Sequence, residues 1–268
     1  MGGEYPASVP RVPASISQFG LIPAGSKSLL SSGDSVSDRS VRERFVALYD
    51  EKHRFEAGGG KIVLEVGSDN FPLAIPIVPD GASWRFDAAA GREEILNRRI
   101  GQNELNTIQV CLAYVDAQRE YYARDPDGNS LLQYAQRITS SPGKRDGLYW
   151  PTKPGEPESP LGSLAARARS EGYSKRSEQP VPYWGYYYRI LTGQGKDAPG
   201  GAYSYLAKGQ MMGGFALVAY PAQYGVSGVM TFIVNQDGVV YQKDLGPHSA
   251  AIARAIKEFN PDSTWKKV

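Results

Sequence analysis

The stretch GVMTFIVNQDGVVYQKDLG, residues 228–246, carries two apolar runs joined by Gln236, Asp237 and Gly238. Asp-Gly between two such runs is a strong short-range hairpin signal, because glycine supplies the positive φ that a tight turn of matching twist needs. Alternation puts Val229, Thr231 and Ile233 on one face and Met230, Phe232 and Val234 on the other. Both faces are apolar enough to require a covering. Upstream, "YWGYYYRIL" and "GGFALVAYP" read as further strands. Downstream, "SAAIARAIKEF" reads as an amphipathic helix with Ser249 as N-cap, ending before Pro261.

Working outward, "REEILNRRIGQNELNTIQVCLAYVDAQREYYAR" is the most helical region, with Gly101 as a candidate break. Leu105, Ile108, Leu112 and Val115 recur at 3,4,3 spacing, which predicts one buried stripe along the helix. Cys111 lies beside that stripe and is expected to be an inert core thiol. Residues 125–182 read as long loops with helical hints at "SLLQYAQRI" and "PLGSLAARARSEGY". Before the long helix, "SDRSVRERFVALYDEKHRF" spaces Val41, Phe45, Leu48 and Tyr49 as a helix with one buried stripe. "KIVLEV", "FPLAIPIV" and "SWRFDA" then alternate as strands around an Asp80-Gly81 turn, and Pro72 and Pro76 suit an edge or bulged strand.

The expected layout is α+β. Residues 1–36 form a flexible or extended leader, residues 37–90 a small module of helix and antiparallel strands, and residues 91–268 a long helix packed on an antiparallel meander with a C-terminal helix.

Thirty Lys and Arg against 28 Asp and Glu leave no global field to draw the chain onto nucleic acid or an anionic membrane. One cysteine and two histidines exclude a Cys/His zinc cluster. No apolar run reaches the length of a membrane span. The opening "MGGEYPASVPRVPAS" has neither the charged start nor the apolar core of a signal peptide.

The motifs "SSGD", "RERF", "WRFDAAAG", "EEILNRRIGQNEL", "YVDAQREY", "SPGKRDGLYWP", "GYYYRILT", "GGFALVAYPAQYG" and the 228–246 hairpin occur in an order that resembles the uncharacterised bacterial family known as domain of unknown function 2950. The resemblance brings no catalytic residue, substrate or cofactor with it. It implies an exported protein, periplasmic or secreted. Residues 103–245 also resemble, at the level of fold, the globular domain of type II secretion pseudopilins and type IV pilins, whose helix packs on an antiparallel sheet. The segment "REEILNRRIGQNE" is too charged to act as the apolar assembly helix of a pilin.

Several stretches invite functional readings. Asp125, Asp127 and Asn129 in "DPDGNS" open like a calcium loop, but Ser130 and Gln136 stand where an EF-hand needs Gly and Glu, so a helix-terminating turn is the expected reading. "AGGGKI" lacks the Ser or Thr and the following helix of a phosphate loop. In "PYWGYYYR", a strand would place Trp184, Tyr186 and Tyr188 on one face and Tyr183, Tyr187 and Arg189 on the other, a stacking platform for a ligand or one core face and one amphipathic face. "SPGKRDGLYWP" gathers Lys144, Arg145, Asp146, Tyr149 and Trp150 as a candidate functional loop.

No G-x-S-x-G elbow occurs. His53 and His248 read as surface or capping residues, and Glu93 and Glu94 favour a helix start for electrostatic reasons. The expectation is a non-enzymatic, envelope-associated binding or structural protein with a protein or glycan partner and no cofactor. The alternative is a hydrolase of envelope glycan or peptide using Asp116, Glu120, Asp125 or Asp146.

Overall fold

A computed structural model describes residues 19–20, 29, 31–125, 128, 130–173 and 181–268. Most of the expected leader, and Asp127 and Asn129 of the calcium-like loop, lie outside the described residues. The chain divides into two compact units, Met1–Arg99 and Ile100–Val268.

In the first unit, α1 (Ser35–Glu51) starts at Asp34, whose carboxylate accepts the backbone N–H groups of Val36 and Ser37 at 3.2 and 3.0 Å. A sheet follows, built from β1 (Phe19–Gly20), β2 (His53–Gly58), β3 (Lys61–Val66), β4 (Phe71–Pro72), β5 (Ile77–Asp80) and β6 (Ser83–Phe86). Its order is β1-β6-β5-β3-β2, with β4 also on β3; β1 runs parallel to β6 and the other pairs are antiparallel. Alternation along β3 buries Ile62, Leu64 and Val66 against Ile77, Trp84 and Phe86, and Phe45, Leu48 and Tyr49 of α1 pack on them. Val41 departs from the expected stripe, because it is 66% exposed. The helix engages the sheet only from its second half, where the carbonyl of Leu48 accepts the N–H of Gly67.

The second unit takes up α2 (Arg92–Arg124) from Ile100, and the helix runs through Gly101 without a break. α3 (Gly162–Ser170) falls in the second helical hint. The first hint is not helical: Tyr134 forms an isolated bridge to Met211, and Gln118 of α2 pairs with both backbone groups of Ala135 at 2.8 Å. The main sheet comprises β7 (Tyr186–Leu191), β12 (Ala216–Pro221), β13 (Met230–Asn235), β14 (Tyr241–Asp244) and β15 (Lys266–Lys267), in the order β15-β14-β13-β12-β7, all antiparallel. Between β7 and β12, β8 (Gly193–Gln194) pairs with β9 (Tyr203–Ser204), and β10 (Leu206–Ala207) pairs with β11 (Gln210–Met211). The β13–β14 hairpin turns at Gln236, Asp237 and Gly238 as its sequence requires, and the C-terminal β15 then extends the sheet beyond it.

Both faces of the sheet are covered. Tyr188, Ala219 and Phe232 are register neighbours on the face toward α2, where Tyr188 Oη lies 3.3 Å from Thr107 Oγ1. Arg189, Val218 and Ile233 share the opposite face. Here α4 (Ser249–Ala255) packs, and Arg189 Nη2 donates to the carbonyls of Ala253, at 2.8 Å, and Ile256. Full burial of each large side chain in this core stabilises the fold by about 1.5–3 kcal/mol. α4 is shorter than the sequence suggests, since Ile256 turns to extended backbone and Arg189 caps the freed carbonyls. Ser249 lies inside the helix and His248 precedes it without a side-chain cap.

The stripe expected to be buried on α2 holds only in part: Val115 is buried and Ile108 packs against the core, but Leu105 and Leu112 do not join them. Leu105 is 63% and Leu112 36% exposed, whereas Asn103, Thr107, Val110, Cys111, Tyr114, Val115, Ala117, Gln118 and Tyr121 are buried. Polar members of that face win because the sheet and its connecting loops satisfy them. Asn103 Nδ2 donates to the carbonyl of Ser227 at 2.9 Å, and Tyr114 Oη donates to that of Ala216 at 3.2 Å.

Candidate functional site

α3 brings together two stretches that are far apart in the chain. Arg167 and Arg169 are two residues apart, so on a helix they diverge by about 200°. The Arg167 guanidinium lies 4.5 Å from the Trp184 ring centroid, and that of Arg169 lies 5.5 Å from the Tyr149 ring. Thus the "SPGKRDGLYWP" loop and the start of the aromatic segment converge on one helix. Glu171 orders the Trp184 side: it pairs with Arg167 at 3.1 Å and accepts the indole N–H at 3.0 Å. Tyr183 stacks on Trp184 with centroids 5.0 Å apart, and Tyr173 packs edge-on against Tyr183.

The aromatic segment is therefore not one strand. Tyr183 and Tyr186 exchange backbone hydrogen bonds at 2.9 and 3.2 Å, closing a tight turn, and Trp184 sits in the left-handed region at φ 48°. Only from Tyr186 onward does β alternation hold. Tyr186 is fully buried and donates to the Met230 carbonyl at 3.0 Å, so it presents no ring face for stacking. Tyr187 packs against Tyr220, Tyr188 hydrogen-bonds the Tyr183 carbonyl, and Arg189 serves the end of α4.

In the 144–150 loop, Lys144 and Arg145 are exposed, and the Arg145 guanidinium lies 5.6 Å from the Trp150 ring. The Asp146 carboxylate accepts both the backbone N–H of Ser141, at 2.7 Å, and its hydroxyl, at 2.8 Å. Those bonds hold the Asp146 pKa below the usual carboxylate value. Gly147 is required by close approach, since a β-carbon would fall 2.7 Å from the Ser140 nitrogen. Two donors at this surface are buried with no hydrogen-bond partner among the described residues, Trp150 Nε1 and Tyr183 Oη. Burial, with Glu171 nearby, pushes the Tyr183 hydroxyl up to about 12.

The other candidate carboxylates hold structural partners. Asp116 pairs with Arg119 at 3.7 Å, Glu120 pairs with Arg124, and Asp125 accepts the Ser130 N–H at 2.8 Å in a turn that ends α2. Among the described residues, no group of three or more His, Cys, Asp or Glu side chains is arranged to hold a metal ion. His53 is exposed and stacks on Tyr49 at 3.9 Å. Burial pushes Cys111 up to about 12, as befits an unreactive core thiol.

A second concavity adjoins α4. An open groove of about 480 Å³ is floored by Ile233, Leu245, Ile256 and Trp265, with Lys243 and Lys257 beside it and Glu258 as its one carboxylate. Neither this groove nor the role of Arg167, Arg169 and Glu171 was visible in the sequence, although Glu171 four residues after Arg167 is a helix-pair signal.

The fold and its surfaces define an α+β protein of two compact units, the second carrying an arginine–aromatic surface on α3. Residues 17–268 match the family described as Protein of unknown function (DUF2950), and the chain belongs to that family. No curated protein and no solved structure matches the chain.

Proposed function

We propose that this protein is a non-catalytic binding or structural component of the cell envelope, and that the α3 surface is where it meets its partner. The observation that carries the reading is the convergence of Arg167 on Trp184, Arg169 on Tyr149 and Arg145 on Trp150. A guanidinium laid on a ring keeps its N–H edge for carboxylate, phosphate or carbonyl acceptors, while the rings supply rigid apolar area. The envelope location rests on the export that the family resemblance implies, and the partner class is a protein or glycan.

Against the hydrolase alternative, Asp116, Glu120, Asp125 and Asp146 are each tied to a neighbour. The test is photocrosslinking in the native host from position 169, with exposed position 61 as control. One envelope component captured at 169 and lost with Arg145→Ala plus Arg167→Ala is the expected result. Release of product from an envelope polymer by the purified chain, abolished by Asp146→Asn, overturns the proposal.

A further inference from the structure

The groove beside α4 follows from the shortness of that helix. α4 stops at Ala255, Ile256 turns to extended backbone, and the chain is then pinned by fully buried Phe259, whose N–H donates to the Gly193 carbonyl at 2.9 Å and whose carbonyl accepts the Gly195 N–H at 3.0 Å. The chain returns to the sheet only at Trp265 and β15, so part of β13 and β14 stays open as the apolar floor of Ile233, Leu245, Ile256 and Trp265. Ile252, on the α4 wall of the groove, is 44% exposed. The volume of about 480 Å³ lies within the range of small-molecule sites, about 300–1,000 Å³.

The rim is cationic. Ile233 is the register partner of Tyr241, and Tyr241 is that of Lys267, so Lys267 and Lys243, two residues beyond Tyr241, stand on the sheet face that floors the groove. Lys243 Nζ lies 5.8 Å from the Trp265 ring centroid, and Lys267 Nζ lies 5.9 Å from that of Tyr241. Exposed Lys257 follows Ile256 at the other side. Among the described residues, none of these three lysines joins an ion pair. Two carboxylates are near and both are turned elsewhere. Glu258 Cγ lies 3.7 Å from where a β-carbon on Gly193 would stand. Asp262, close enough to sense the Lys243 charge, bonds instead to the N–H of Thr264, at 2.8 Å, and to its hydroxyl.

We propose that this groove binds a small anionic amphiphile, of the class of a free medium-chain alkyl carboxylate. The alkyl chain lies on Ile233, Ile252 and Ile256, and the carboxylate meets Lys243 and Lys257. The floor favours any aliphatic chain in proportion to the area it covers. The lysines select the sign of the headgroup, since each is a compact positive charge on a flexible stem with no carboxylate paired to it. A second copy of the chain suits the groove less, because a two-fold contact would set these lysines against their own counterparts.

Titration of the isotope-labelled full chain with decanoate, followed by NMR at the indole N–H groups, tests the proposal. Loss of one indole resonance in Trp265→Phe identifies Trp265 among the four tryptophans. A saturable shift at Trp265 is expected, with Trp184 on α3 unmoved. Decanoate binds at least tenfold more tightly than decyltrimethylammonium, and dodecanoate several-fold more tightly than decanoate. Lys243→Ala with Lys257→Ala weakens decanoate at least tenfold and changes decanol less than twofold, whereas Ile252→Glu weakens both. All three side chains reach solvent, so the variants keep the wild-type circular dichroism spectrum. Any of four results overturns the proposal: no shift at Trp265, equal affinity for the cationic amphiphile, decanoate binding indifferent to the double Ala variant, or Trp265 shifts produced only by anionic vesicles or by raising the concentration of the chain itself.

Discussion

Glu104 Oε1 accepts the backbone N–H of Met230 at 2.9 Å, so one carboxylate on α2 fixes the first residue of β13. The same oxygen takes the N–H of Val229, and the Tyr186 hydroxyl lies 3.5 Å away. Helix and hairpin are 125 residues apart at this contact. Glu104→Ala is expected to destabilise the chain by about 2–4 kcal/mol, because two strand N–H groups lose a charged acceptor. Glu104→Gln retains one acceptor and is expected to cost less than half as much. Urea denaturation of both variants checks the order.

Gly228 is set by space. A β-carbon there would fall 2.6 Å from Tyr186 Cε2, and closer still to the ring hydroxyl. Gly228→Ala is expected to cost about 3 kcal/mol or more, since Tyr186 is fully buried and has nowhere to move. Adding Tyr186→Phe relieves only part of the loss, because the ring carbons also clash. A double-mutant cycle on thermal unfolding measures the coupling.

Cys111 reports on unfolding. With its thiol raised to about 12 by burial, reaction with a disulfide reagent at pH 8 is expected to be at least 100-fold slower than in the unfolded chain. Labelling measured across a urea series should follow the unfolding transition. Fast labelling in the absence of denaturant contradicts the packed α2 face.

Asp146 sets part of the acid response. Its pKa is lowered in the folded chain by the Ser141 N–H and hydroxyl, so the folded state binds this proton more weakly than the unfolded state. Stability from this group is therefore complete above the unfolded value near 4 and is lost as pH falls through the lower folded value. Asp146→Asn is expected to lower the melting temperature at pH 7 and to flatten its pH dependence below about pH 4. Ser141→Ala, which removes one of the two donors, should flatten it less.

The hairpin, the alternation of β3, the long helix and α3 were legible because each is dictated by local period and turn chemistry. Asp237-Gly238 fixes the β13–β14 turn whatever lies around it. What the sequence misjudged was facing. α2 has two stripes, and hydropathy favours Leu105 and Leu112 over a face holding Asn103, Thr107 and Gln118. The sheet and the loops beside it reverse that ranking by supplying Tyr188, Ser227 and the Ala135 backbone as partners, which no pattern along the helix reveals.

The candidate surface was half legible for the same reason. Aromatic and charged residues at 144–150 and 183–189 stood out by composition. Their meeting on α3 did not, because it depends on a turn that Trp184 makes at φ 48° and on two arginines pointing opposite ways from a nine-residue helix.

By itself the sequence determined the family, the α+β class and the order of the elements, since these follow from local spacing, turn residues and the order of motifs. Only the tertiary structure decided that both sheet faces are covered, by α2 and by α4, and that Leu105 and Leu112 stay exposed. Those outcomes turn on long-range pairing of polar groups. A buried donor without an acceptor costs more than an exposed leucine, so satisfied hydrogen bonds chose the face.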